Sequence, residues 1–285
     1  MIKAEFSFLE YSYNSAETDL LEVERGLAKL GFACRAHHKS ENTTMWTQGM
    51  CILLVRDSAS VTEPKVTGIG LMSNQYTIER LECEYDDTVE MYVTHDCGGN
   101  RVLLFPESGD NLGDMLDGNY YVDNLEINSK ETGMECITGA ILEGLNARQM
   151  DFYQDLGFKF TKSTERFNTL VSNNNRFIIK VDKNSGTGIK GIVIDCDDVF
   201  VTTSKLHVAG LMLKQFEPAD YSSFGGNAHK INGYNCVAHG SSGSYTIENF
   251  CVNPVSGLDI TIRSRKQYLD INDQLLELYY EEPTQ

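Results

Sequence analysis

The chain is poor in proline, tryptophan and positive charge, and each shortage excludes something. Five prolines in 285 residues leave few hard breaks, so a proline-rich linker or a collagen-like rod is excluded. Lys and Arg number 24 against 41 Asp and Glu, a net charge of −17. The densest basic stretch is only Arg263-Ser264-Arg265-Lys266, so a phosphate backbone or an anionic membrane surface is a poor partner. No apolar run approaches the roughly 20 residues that span a bilayer. The N-terminus lacks the hydrophobic core of a signal peptide. Eight cysteines occur without a single C-x-x-C pair, which signals neither zinc nor a redox motif and predicts reduced thiols in a cytoplasmic protein. What is present is 41% hydrophobic and 10% aromatic residues, enough for a packed core.

Hydrophobic periodicity predicts a repeated unit. Phe6, Phe8 and Glu10 alternate as in a strand. Ser15 or Thr18 can cap a helix with the apolar stripe Leu20, Val23, Leu27, Leu30, which Gly31 ends. Strands follow over 33–38 and 44–55. The same order recurs from residue 67, with a helix over 76–84 and strands over 91–95 and 101–105. A third round opens over 120–127 and continues with a helix over 147–156. A fourth opens over 188–194, with a helix over 199–208. Residues 107–118 are polar and glycine-rich and read as the link between halves 1–112 and 113–285. Residues 216–243 read as a long loop, and 267–282 as a final amphipathic helix. The fold class is α+β: repeated β-α-β-β-β modules paired into two curved half-barrel sheets.

The segments FSFLEYSYN, LGFACRAHHKSENTTMWTQGMCILLV and VTGIGLM resemble the N-terminal half of 4-hydroxyphenylpyruvate dioxygenases, members of the vicinal-oxygen-chelate (glyoxalase-like) superfamily. In the second half, YVDNLEI, MDFYQDLGF and GIKGIVIDCDDVFVTTSKLHVAG resemble that family's opening strand, its Phe-Tyr helix and its next strand and helix. The resemblance runs from Phe6 to Arg263 and implies the same β-α-β-β-β module.

It also implies an iron site of two His and one Glu, with open positions for a 2-oxo acid and oxygen. The first His matches Asn124, the second matches Gly191, and the Glu matches Asp259, ahead of Arg263. A substrate-contacting Gln matches Glu248. One carboxylate and an amide will not retain iron, so no cofactor is expected, although Asn124, Glu248 and Asp259 leave a hard divalent cation open. The expectation is a dioxygenase-like protein without the iron-dependent activity, with a small-molecule ligand in its C-terminal half. The alternatives are a metal-dependent oxygenase, isomerase or lyase with other ligands, and a non-catalytic scaffold or subunit. A homodimer is compatible with either.

Other chemistry-bearing residues have plainer readings. His37 and His38 are adjacent on a strand and point to opposite faces. His95, Asp96 and Cys97 precede a Gly-Gly turn. His229, Cys236 and His239 fit no zinc spacing. Asp197-Asp198 reads as a helix N-cap, and Trp46 as core.

Overall fold

The computed structural model describes residues 5–39, 42–87, 91–106, 120–122, 132–144, 147–163, 167–172, 177–183, 186–211, 227–231, 234–241, 244–255 and 257–268. The first module comprises β1 (Glu5–Tyr13), α1 (Leu20–Lys29), β2 (Ala33–His38), β3 (Thr43–Gln48) and β4 (Cys51–Asp57). The second comprises β5 (Lys65–Ser73), α2 (Gln75–Arg80), β6 (Glu84–Asp86), β7 (Met91–His95) and β8 (Arg101–Pro106). After β9 (Tyr120–Val122), the third comprises β10 (Met134–Glu143), α3 (Ala147–Asp155), β11 (Lys159–Ser163), β12 (Phe167–Val171) and β13 (Ile178–Asp182). The fourth comprises β14 (Gly188–Cys196), α4 (Val199–Val208), β15 (Asn227–Ile231), β16 (Tyr234–Ser241), β17 (Ser244–Val255) and β18 (Leu258–Tyr268).

One pairing rule repeats four times. The opening strand of each module lies parallel to its last: β1 with β4, β5 with β8, β10 with β13, and β14 with β18. The opening strands then pair antiparallel, β1 with β5 and β10 with β14, which joins two modules into one open, curved sheet. Parallel pairing within a module needs a crossover, and the helix supplies it. Alternation decides what each face carries. Leu9, Ile69, Ala140, Ile192 and Ile260 face the helices and join one large core with Leu27, Tyr153 and Leu206. The opposite, concave faces carry separate clusters, Phe8 with Leu54 and Leu103 in the first half, and Ile141 with Phe167 and Val193 in the second.

Local signals explain the helix ends. Asp19 caps α1, its carboxylate accepting from Leu21 N at 3.0 Å, one residue past the Thr18 expected from sequence. Gly31 follows at φ +86°, a conformation that suits glycine. Asn74 caps α2, which is shorter than expected. Asp198 accepts from Val201 N at 3.0 Å, the capping geometry read for Asp197-Asp198.

Three expectations change. The third round opens at β10, not over 120–127. β9 instead pairs with β2 and extends the first sheet. The loop expected over 216–243 contains the β15–β16 hairpin, paired antiparallel from Asn227 with Ala238 to Ile231 with Tyr234. The expected link at 107–118 and the helix at 267–282 fall almost wholly outside the described residues, apart from the end of β18.

The halves meet through specific contacts. Phe6 stacks on Phe177 with ring centroids 4.1 Å apart. Met50 N donates to Glu135 O at 2.7 Å. Asp96, in the β7–β8 turn, accepts from Gln149 Nε2 at 3.0 Å and Tyr153 Oη at 2.9 Å, both on α3. It also accepts from Gly98 N, Asn100 N and Asn100 Nδ2, so five donors satisfy this buried carboxylate. Burial first, and then the neighbouring Asp96 charge, push the Tyr153 phenol well above its usual range. His95, Asp96 and Cys97 therefore include a structural residue that ties the halves together.

Candidate functional site

The concave face of the second half is assembled from β10, β14, β18 and β17, and strand register aligns its residues in rows. Gly191 lies beside Asp259 across the parallel β14–β18 pair and opposite Ile141 of β10. Two residues along, Val193 lies between Thr261 and Gly139. Two further, Asp195 pairs with Arg263, and Arg263 pairs in turn with Glu248 of β17.

Two of the four positions expected from sequence are therefore direct neighbours. A Cβ on Gly191 would stand 2.9 Å from Asp259 O and 3.2 Å from Asp259 Cβ, so the adjacency is close enough to exclude a side chain without movement. Glu248 falls on the row of Arg263, four residues along β18 from Asp259. Asn124 lies outside the described residues. The strand to which the resemblance assigned it is not the one that opens this half.

The β10–β14 pairing is symmetric about Ala140 and Ile192, with Gly139 opposite Val193 and Gly191 opposite Ile141. Gly139 is thus the internal two-fold mate of Gly191. A Cβ there would meet Ile178 O at 2.8 Å. The two central, symmetry-related positions of the concave face are both glycines in tight surroundings.

Arg263, Asp195 and Thr138 form the polar end of this face. Arg263 Nε donates to Asp195 Oδ1 at 2.8 Å, Arg263 Nη2 donates to Thr138 Oγ1 at 2.8 Å, and Thr138 Oγ1 donates to Asp195 Oδ1 at 2.9 Å. Arg263 is 5% and Asp195 6% exposed. A buried ion pair is tolerated only with such additional hydrogen bonds. The resemblance marks Arg263 as a landmark and does not reveal its partner. The available signal was Asp195 itself, a carboxylate inside the otherwise apolar run Ile192-Val193-Ile194.

This arrangement does not fit the iron site that the resemblance implies. Gly191 offers no donor atom and Asp259 offers one carboxylate, whereas ferrous iron in that family takes two imidazoles and a carboxylate. Among the described residues, no group of three or more His, Cys, Asp and Glu is arranged to hold a metal ion.

No family model matches the sequence, and no curated protein is similar to it in sequence. Solved structures are similar in shape. A xylose isomerase-like TIM barrel/4-hydroxyphenylpyruvate dioxygenase fusion protein superposes over 93% of the chain at TM-score 0.71 and 16% identity, and the chain spans 50% of that protein. A mutant of 4-hydroxymandelate synthase from Streptomyces coelicolor superposes over 93% of both chains at TM-score 0.65 and 11% identity. The chain has the vicinal-oxygen-chelate fold. The Mn(II)-bound glyoxalase from Novosphingobium aromaticivorans extends that likeness, at TM-score 0.58 and 14% identity over 94% of this chain and 84% of its own. The vicinal-oxygen-chelate fold accounts for the four modules, the parallel first and last strands and the two curved sheets. Among the described residues, no helix is long and apolar enough to cross a membrane.

Proposed function

We propose that this is a dioxygenase-like vicinal-oxygen-chelate protein that binds a small molecule on the concave face of its second half and does not carry out iron-dependent oxygenation. The observation that carries the reading is Gly191 packed against Asp259, with Gly139 as its two-fold mate. Two glycines at the centre leave bare backbone, in surroundings too tight for a side chain, where ligating side chains would stand. Ile141, Phe167 and Val193 offer an apolar wall, and Thr138, Asp195 and Arg263 offer a polar end. A ligand with an apolar ring or chain and one polar end suits that pairing.

The test has two arms. Protein purified without chelator and analysed for metals is expected to hold iron, manganese and zinc well below one per chain. With added ferrous iron and 4-hydroxyphenylpyruvate it is expected to consume no oxygen above buffer. A fragment set of small phenols and aryl acids, screened by backbone amide shifts, is expected to perturb β10, β14 and β18, and Val193→Trp is expected to abolish the effect. Stoichiometric iron with oxygen uptake would overturn the loss of activity. Fragments that leave these strands unperturbed would overturn the binding reading.

A further inference from the structure

The first half carries its own polar cluster on its concave face, from Glu10 and Arg101 beside the centre to Arg56 and Thr43 at the rim. Phe8, Leu54, Met45 and Leu103 fill the middle of that face. Alternation brings Glu10, Arg56, Thr43 and Arg101 to the same side on β1, β4, β3 and β8. Arg101 is held by two carboxylates: its Nη1 donates to both Glu10 oxygens at 3.1 and 3.0 Å, and its Nη2 to Asp86 Oδ2 at 3.3 Å. Thr67 Oγ1 adds a 2.7 Å bond to Glu10.

Arg56 differs. Its one ion pair is a loose 3.9 Å approach of Nη1 to Glu10 Oε2, and it makes no hydrogen bond to any described residue, although its side chain is only 20% exposed. Directly across the strand pair lies Thr43, 4% exposed, whose hydroxyl has no hydrogen-bond partner among the described residues. Register partners on one face lie about 5 Å apart at Cβ. A mostly buried guanidinium with its donors unspent thus stands beside a buried hydroxyl with nothing to bond. Leaving such groups unsatisfied is costly, and a ligand that satisfies both recovers that cost.

We infer that Arg56 and Thr43 form a binding site for the carboxylate of a small organic acid at the rim of the first half. The guanidinium fork matches a carboxylate with two parallel hydrogen bonds, and the Thr43 hydroxyl supplies a third. Charge selects the class. Arg56 and Arg101 balance Glu10 and Asp86, so the cluster is neutral before the ligand arrives, and Glu10 stands 3.9 Å from Arg56. A single negative charge is admitted there, whereas a phosphate dianion is repelled by Glu10. The apolar middle of the face is packed, so the acid seats its head group at the rim and extends outward. The site is independent of the concave face of the second half.

The experiment is a titration with sodium acetate, and separately with inorganic phosphate, at constant ionic strength in chloride, followed by backbone amide shifts. Acetate is expected to give saturable shifts at Thr43, Arg56 and the adjacent Ser12. Arg56→Gln is expected to weaken acetate by about ten-fold or more, the scale of a charge-assisted pair, and Thr43→Val by about two- to ten-fold. Arg56→Lys keeps the charge without the fork and is expected to fall between the wild type and Arg56→Gln, which secures the comparison if the latter folds poorly. Phosphate is expected to bind at least about ten-fold more weakly than acetate. Shifts that never saturate, or equal acetate affinity in wild type and both Arg56 variants, would overturn the site. Phosphate binding more tightly than acetate would overturn its assignment to carboxylates.

Discussion

The two halves use one pairing scheme to build two different interiors. In the first, Phe8 occupies the two-fold position next to the centre and lies over Gly70, where a Cβ would overlap its ring. In the second, the corresponding pair is reversed in size, with Gly139 opposite Val193. The other mate is glycine in both halves, Gly68 and Gly191, each beside the first residue paired on the last strand, Arg101 and Asp259 respectively. Opposite Gly68 stands Glu10, and opposite Gly191 stands Ile141. The first half therefore places its charges at the centre of the symmetric pair and seals them with Arg101. The second keeps small residues at the centre of its strand pair, with Asp259 beside Gly191, and moves its buried ion pair two rows away to Asp195 and Arg263. Backbone pairing is conserved between the halves while side-chain volume and charge are redistributed, so the fold dictates positions and leaves their chemistry open.

The largest effect that can break this comparison concerns the two ion pairs. Arg263→Ala strands Asp195 in a buried site and is expected to cost about 3–5 kcal/mol in urea unfolding. Arg101→Ala is expected to cost less, about 1–3 kcal/mol, because Arg101 is more exposed and Arg56 stands ready near Glu10. Equal costs would mean that the pairs are equivalent after all.

The packing swap comes next. Phe8→Ala opens a cavity in the first half and is expected to cost about 3–5 kcal/mol when the ring's contacts do not relax. Gly139→Ala crowds Ile178 O in the second half and is expected to cost about 1–3 kcal/mol. A neutral Gly139→Ala would show the centre of the second half to be looser than drawn.

The smallest effect is at alkaline pH. Burial pushes the Cys196 thiol of the second half up to about 12, with smaller opposing and reinforcing contributions from Thr202 and nearby carboxylates. Burial pushes Cys83 of the first half up to about 11. Both folded values lie above the unfolded thiol value. The stability they contribute is therefore complete below pH about 8.5 and is lost as pH rises towards the folded values. By pH 10 Cys196 contributes a loss of at most about 2 kcal/mol, and the partly exposed Cys83 less, because solvent screens it. Cys196→Ala is expected to flatten the alkaline decline more than Cys83→Ala, as followed by urea midpoints from pH 8 to pH 10.5.

Much of this was legible in the residues. The alternation around Phe6 and Phe8, the stripe of α1, and the stop at Gly31 each report a local preference that the folded chain keeps. So does the run from Gly188 into the Asp198 cap. The opening strand of the third module was misplaced because Tyr120, Tyr121 and Val122 have the right composition for a strand, and composition does not say which sheet a strand joins. The β15–β16 hairpin was missed because glycine, serine and asparagine weaken strand propensity, and cross-strand pairing outweighs it there. In the candidate site, Gly191 and Asp259 were found by resemblance and are neighbours. The Asp195–Arg263 pair was not found, since 68 residues separate the two and only the parallel β14–β18 register brings them together. Arg56 and Thr43 were equally invisible, because an unmade hydrogen bond leaves no mark on a sequence.

The seam between the halves has a practical consequence for anyone who would divide the protein. Separated from its partner, the first half would present a bare Phe6 ring and an Asp96 carboxylate deprived of the Gln149 and Tyr153 donors. The second would present Phe177 and a phenol with no acceptor. Two such fragments produced as separate chains would be poor soloists and good mates: each carries the surface the other is missing, and mixing them should restore what neither keeps alone.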